Sequence, residues 1–121
     1  MVKQSMYGCL AILMVQVVFF AGTIYGFDNA HLQKLNSTNQ CEKCDLSNAN
    51  FSNIDMTGAR LIGANLSGAN LSDAIFSDTN LTDANLTGAN IKGTNFSGAK
   101  LSNTTWVDGK KCKPGSMGKC K

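Results

Sequence analysis

Between Cys44 and Asp108 the chain repeats every five residues without a gap, through thirteen units: CDLSN, ANFSN, IDMTG, ARLIG, ANLSG, ANLSD, AIFSD, TNLTD, ANLTG, ANIKG, TNFSG, AKLSN and TTWVD. The third place is Leu, Phe, Met, Ile or Trp in every unit, and the first is Ala in eight. A period of five fits neither the 3.6 residues of a helical turn nor the alternation of a strand, so either element would scatter the apolar residues over all its faces. Short tandem repeats instead build solenoids, in which each turn buries the face of its neighbour.

The A-[DN]-L-x-x units resemble the pentapeptide-repeat family. That resemblance implies an all-β solenoid, a right-handed quadrilateral β-helix with four units per coil and therefore about three coils here. Third-place residues 20 apart should then stack: Leu46, Leu66, Leu86 and Trp106 on one side, Phe51, Leu71 and Ile91 on the next, then Met56, Phe76 and Phe96, then Leu61, Leu81 and Leu101. The flanking segments are similar to those of exported bacterial members. Residue chemistry agrees with this picture, because a narrow four-sided column has room inside for one large apolar residue per side and one small one. The other three places face water, with Gly or Asn at the fifth place easing the turn.

A solenoid needs its ends covered. Asp28 reads as a helix N-cap, and Leu32 and Leu35 share one face of a short helix over about residues 29 to 36. Residues 27–43 are therefore assigned as an N-terminal helical cap, 44–108 as the β-helix, and 109–121 as a basic C-terminal cap. Ile54, where Ala is usual, is expected near the N-terminal end, since a mid-column site would be overpacked.

Residues 1–26 are of another kind. Lys3 precedes an apolar run from Leu10 to Phe20, followed by Ala21-Gly22-Thr23-Ile24-Tyr25-Gly26, which reads as a secretory signal peptide cut after Gly26. The uncharged stretch from Gln4 to Phe27 is also long enough to span a bilayer as an uncleaved anchor. The expected location is a bacterial periplasm or the medium, with membrane attachment only if the segment is retained.

Four cysteines follow that segment: Cys41, Cys44, Cys112 and Cys120. An even count in an exported chain reads as disulfides. The spacing of Cys41 and Cys44 also admits a redox dithiol or half of a zinc site, although the βαβ context of the first and a nearby second half for the other are both missing. On the column that the resemblance implies, the two pairs lie about 15 Å apart at opposite ends, beyond disulfide reach. Pairing is therefore expected within each: Cys41 with Cys44, and Cys112 with Cys120.

Net charge is +3 and unevenly placed: residues 44–108 hold six Asp against Arg60, Lys92 and Lys100, whereas residues 109–121 hold five Lys and no acid. With no aromatics interleaved among those lysines, nucleic-acid binding is not expected. Some family members mimic duplex DNA and protect DNA gyrase, which gives an alternative reading. DNA carries one negative charge per about 1.7 Å, far denser than this column.

No catalytic constellation stands out. His31 is the only histidine, and Ser and Thr recur because the fourth place calls for them. Asp73, Asp78 and Asp83 recur every five residues but belong to successive sides, so a solvated surface is expected rather than a metal site. Six of the eight Asn-x-Ser/Thr sequences follow from the repeat itself. Ile62 and Ile75 break the polar outward pattern and are the candidate interaction surface. The chain is thus expected to be an exported, non-enzymatic structural or protein-interaction module without metal or cofactor, its protein partner unknown, the alternatives being a gyrase-protecting DNA mimic or a CxxC redox protein.

Overall fold

A computed structural model of the protein describes residues 28–121; the signal-segment reading falls on residues 1–26, outside the described residues. Every fifth residue from Gln40 to Thr105 forms a parallel β-bridge to the residue 20 positions away. Four sides result, led by Gln40, Asp45, Asn50 and Asp55, and each is named here by that residue. On the Asp45 side the bridges run Asp45, Asn65, Asn85, Thr105; on the Asp55 side, Asp55, Ile75, Asn95.

The hydrogen bonding explains why five residues suffice for a side. The first-place N–H closes a turn onto the third-place carbonyl of the preceding unit, as in Ala64 to Leu61 at 3.0 Å. Bonds between tiers alternate direction: Leu66 N–H donates to Asn85 O at 2.7 Å, and Asn85 N–H donates back to Ala64 O at 2.9 Å. Only one bridged residue fits between corners, so the sides are isolated bridges rather than extended strands. From Asn48 to Asn103 each corner turns through a fifth-place residue at positive φ, Gly where available and Asn or Asp elsewhere, such as Asn48 at 60° and Asp78 at 57°.

Inside, third-place and first-place residues interlock. Leu46, Leu66, Leu71, Phe76, Leu81 and Leu86 are fully buried, as are Ala64, Ala69 and Ala84 beside them. The Phe76 and Phe96 rings meet at a centroid distance of 5.8 Å, as the 20-residue stacking requires. Phe96 also meets Trp106 at 5.3 Å, a contact across the column rather than along one side. Where Thr replaces Ala at the first place, its hydroxyl finds a backbone acceptor: Thr79 Oγ1 donates to Met56 O and Thr104 Oγ1 to Leu81 O, both at 2.7 Å. Those bonds make the buried hydroxyls tolerable. Ile54 is buried in the first tier.

The ladder begins one unit before the repeat pattern does. Asn39–Lys43 already forms a side, with Cys41 in the buried third place, Gln40 bridged to Arg60, and Lys43 at the corner with φ 58°. The boundary at residue 44 therefore moves to 39, because backbone register rather than an Ala-x-Leu signature decides where pairing starts. Preceding it, helix α1 spans Asn29–Thr38, with Asp28 as N-cap accepting from Ala30 N–H at 2.8 Å. Its Leu32 and Leu35 are buried in the column's core. Asp28 N–H donates to Asp45 O, and Asp45 N–H donates to His31 Nδ1 at 2.9 Å. Among the described residues no helix is long and apolar enough to cross a membrane.

At the other end the chain reverses at Gly109 and runs back beneath the last tier. Lys111 bridges Thr105 and Met117 bridges Lys100, both antiparallel. The tail thus pairs with the Asp45 and Gln40 sides and, through Trp106 N–H to Lys110 O at 2.7 Å, closes directly on the tryptophan.

Candidate functional site

The outward surface is built by one local device repeated on every side. A second-place Asn or Asp accepts through Oδ1 from both the N–H and the hydroxyl of the residue two positions on, as in Asn65 with Ser67 at 3.0 and 2.6 Å and Asn80 with Thr82 at 3.1 and 2.7 Å. Such Asx turns fix the side chain against its own backbone. Six of the Asn-x-Ser/Thr sequences are this turn, written in the chain. On the Asn50 side the asparagines also reach each other, Asn90 Nδ2 to Asn70 Oδ1 and Asn70 Nδ2 to Asn50 Oδ1, each at 3.4 Å.

Against that polar background, Ile75 is 40% exposed between Asp55 and Asn95 on its side. Ile62 is half-buried on the neighbouring Gln40 side, where its carbonyl accepts from Lys43 N–H at 2.8 Å. Thirteen residues separate them, not a multiple of 20, so the structure does not gather the two isoleucines into one patch. Among the described residues the exposed large apolar side chains are Ile75, on the Asp55 side, and Met117, on the C-terminal tail.

Cys41 and Cys44 are joined (S–S 1.99 Å, Cα–Cα 5.3 Å), as are Cys112 and Cys120 (2.05 and 4.9 Å). The first pair occupies a third and a first place, the positions of Leu and Ala elsewhere, and both residues are buried within 1%. A partner thiol has no approach to those sulfur atoms, which weighs against redox exchange there. His31 sits with its ring nitrogen engaged by the Asp45 N–H, consistent with a positioning role for α1. Asp73, Asp78 and Asp83 occupy corners of successive sides, and the carboxylates of Asp73 and Asp78 fold over Gly93 and Gly98 of the next tier. Among the described residues, no three His, Cys, Asp or Glu side chains gather in a way that would hold a metal ion.

Geometry of this kind defines a class: a four-sided solenoid with one five-residue unit per side. The pentapeptide-repeat family matches residues 40–78 and 64–103 in eight copies, more than half of the chain, and the protein belongs to that family. Its members fold as right-handed quadrilateral β-helices. Solved structures similar to this chain include the pentapeptide-repeat protein Rfr23 of the cyanobacterium Cyanothece 51142, 22% identical, covering 62% of this chain and 82% of that one with a TM-score of 0.44. HetL of Nostoc sp. strain PCC 7120, involved in regulation of heterocyst differentiation, is 27% identical over 60% of this chain and 42% of its own (TM-score 0.38). A thylakoid-lumen protein of Arabidopsis thaliana is 21% identical over 68% of this chain and 84% of its own (TM-score 0.38). The chain thus spans less than half the length of HetL. Compared with curated proteins, it has no match.

Proposed function

We propose that the protein is an exported, non-enzymatic interaction module of a bacterial periplasm or cell exterior, a column of about three coils closed by α1 at its N-terminal end. The observation that carries this reading is the preorganised outward surface: tier-to-tier bonds fix the backbone of the four sides and Asx turns hold the second-place Asn and Asp side chains, so a partner meets groups already in place and little ordering remains to oppose binding. Ile75, exposed among them, supplies an apolar contact. Two local disulfides suit an oxidising compartment.

Mass spectrometry of the protein from its host tests the export reading, the expected N-terminus lying near Phe27; an intact N-terminus in the membrane fraction would replace secretion by anchoring. Cross-linking in periplasmic extract tests the module. A partner recovered by the wild-type chain should be lost with Ile75→Asp while thermal unfolding stays unchanged. Protection of DNA gyrase in a supercoiling assay at stoichiometric amounts would overturn the reading in favour of DNA mimicry.

A further inference from the structure

Among the described residues, the C-terminal end of the column is covered on two of its four sides. On the Gln40 side Leu101 N–H donates to Ser116 O at 2.9 Å and Ala99 O accepts from Gly118 N–H at 2.8 Å; on the Asp45 side Cys112 N–H donates to Thr104 O at 2.8 Å and Trp106 N–H to Lys110 O. These are antiparallel strand contacts made onto the last tier by the tail. The equivalent groups on the other two sides are Ile91 N–H with Ala89 O, and Phe96 N–H with Thr94 O. Among the described residues none of these four has a backbone or side-chain partner, and Gly93 N–H has none either.

Burial reports the same asymmetry. Ile91 and Thr94 are only half-buried, whereas their counterparts Leu71 and Ala74 one tier up are within 1% of complete burial. The tail, running from the Asp45 side to the Gln40 side, is headed for the two open ones. It turns back at Gly118 because Cys120 is tied to Cys112, and Lys113 N–H to Lys121 O at 2.9 Å fixes the reversal. An edge with regularly spaced free donors and acceptors and a strip of apolar side chain is a template for an added strand.

Charge says what kind of strand. From residue 84 onward the chain carries seven lysines, Lys92, Lys100, Lys110, Lys111, Lys113, Lys119 and Lys121, against the single acid Asp108. Residues 28–83 carry seven acids against Lys34, Lys43 and Arg60. The column is therefore electrically polar, with its open edge at the positive end. A second copy meeting this end would bring two lysine clusters together, so self-association through it is disfavoured, while an acidic segment is drawn to it.

We infer that the uncovered Asn50 and Asp55 sides of the last tier bind an acidic segment of a partner protein that makes an antiparallel bridge on each and bends between them, continuing the course that the tail begins with its turn at Gly115. This inference rests on the proposed interaction role and narrows it to one end of the molecule. The free N–H groups of Ile91 and Phe96 and the carbonyls of Ala89 and Thr94 would pair with the segment's backbone, its inward side chains would cover Ile91, and its carboxylates would face the lysines.

The probe is a fluorescein-labelled nine-residue peptide of alternating Val and Glu with Gly at its centre to turn the corner, titrated by anisotropy against the chain as isolated from expressing cells. Two further peptides separate the contributions: one with every Glu replaced by Gln, and one N-methylated on the edge-facing amides. Binding of the first peptide, weakened at least tenfold by either change, by Ile91→Pro, and by raising salt, is the expected result. Because Ile91→Pro can disturb the last tier itself, the triple variant Lys110→Gln, Lys111→Gln, Lys113→Gln serves as an independent arm with the same expected loss. Equal binding of the methylated peptide would reduce the contact to nonspecific charge and overturn the inference. So would absence of binding, or a dimer that light scattering shows to be dispersed by Ile91→Pro. A partner lost with Ile75→Asp but unaffected by Ile91→Pro would leave the interaction role standing and refute only its placement at this end.

Discussion

The two ends of the column solve one problem differently. At the N-terminal end α1 lays Leu32 and Leu35 on the core, takes the Asp45 N–H on His31, and sits beside a disulfide buried inside the first tier. At the C-terminal end a short antiparallel tail pairs with two sides and is held back from the others by a loop closed through the buried Cys112 and the half-buried Cys120. The first end hides apolar surface with a bulky element, while the second supplies hydrogen bonds to half of an edge. In a solenoid, where each turn leans only on its neighbours, such unequal ends should fray at different stabilities.

The largest test treats the ends alike. Phe76→Ala removes a fully buried ring from mid-column and should cost about 3–5 kcal/mol in urea unfolding. Amide exchange should then quicken at both ends; quickening at one end alone would show that the tiers unfold independently. Leu35→Ala comes next, at about 2–5 kcal/mol, and should release the amides of Leu46 and Phe51 while leaving those of Leu101 and Trp106 protected. The reverse pattern is expected for Cys112→Ser with Cys120→Ser, which opens a nine-residue loop worth roughly 2–3 kcal/mol. Faster exchange at Leu101 and Trp106, with Leu46 unchanged, would sharpen the contrast, and a uniform drop would erase it. Smallest is Asp28→Ala, losing the N-cap of α1 for about 1 kcal/mol, read as reduced helical signal and a lower midpoint.

Much of the interior was legible in the chain. The apolar third place and small first place mark what points inward, and a 20-residue coil then places Phe76 over Phe96 with no further information. The unit Asn39–Lys43 escaped because Cys41 stands for Leu and Asn39 for Ala; what identifies it is its frame, in register with every later unit, and its ladder partner Arg60. The course of the tail was hidden for a different reason. Residues 109–121 lack the period, and the antiparallel register is set by pairing with Lys100 and Thr105, which no local pattern records. For the candidate surface, sequence singled out Ile62 and Ile75 as exceptions to the polar rule, but only the register shows that they face different directions. The open edge at Ile91 and Phe96 had no signature of its own, being defined by backbone groups that no described residue pairs with.

The register of 20 also governs how a chain like this tolerates changes in length. Deleting one unit, for example residues 64–68, would preserve every inward place and every corner, yet it would rotate all later residues by a quarter turn and carry Ile75 from the Asp55 side to the Asn50 side. Removing or adding a full coil would instead leave each outward face intact and alter only the distance between the ends. For such a molecule five residues are the quantum of folding, but twenty are the quantum of surface: insertions of the first size rewrite what the protein displays, and insertions of the second merely lengthen it.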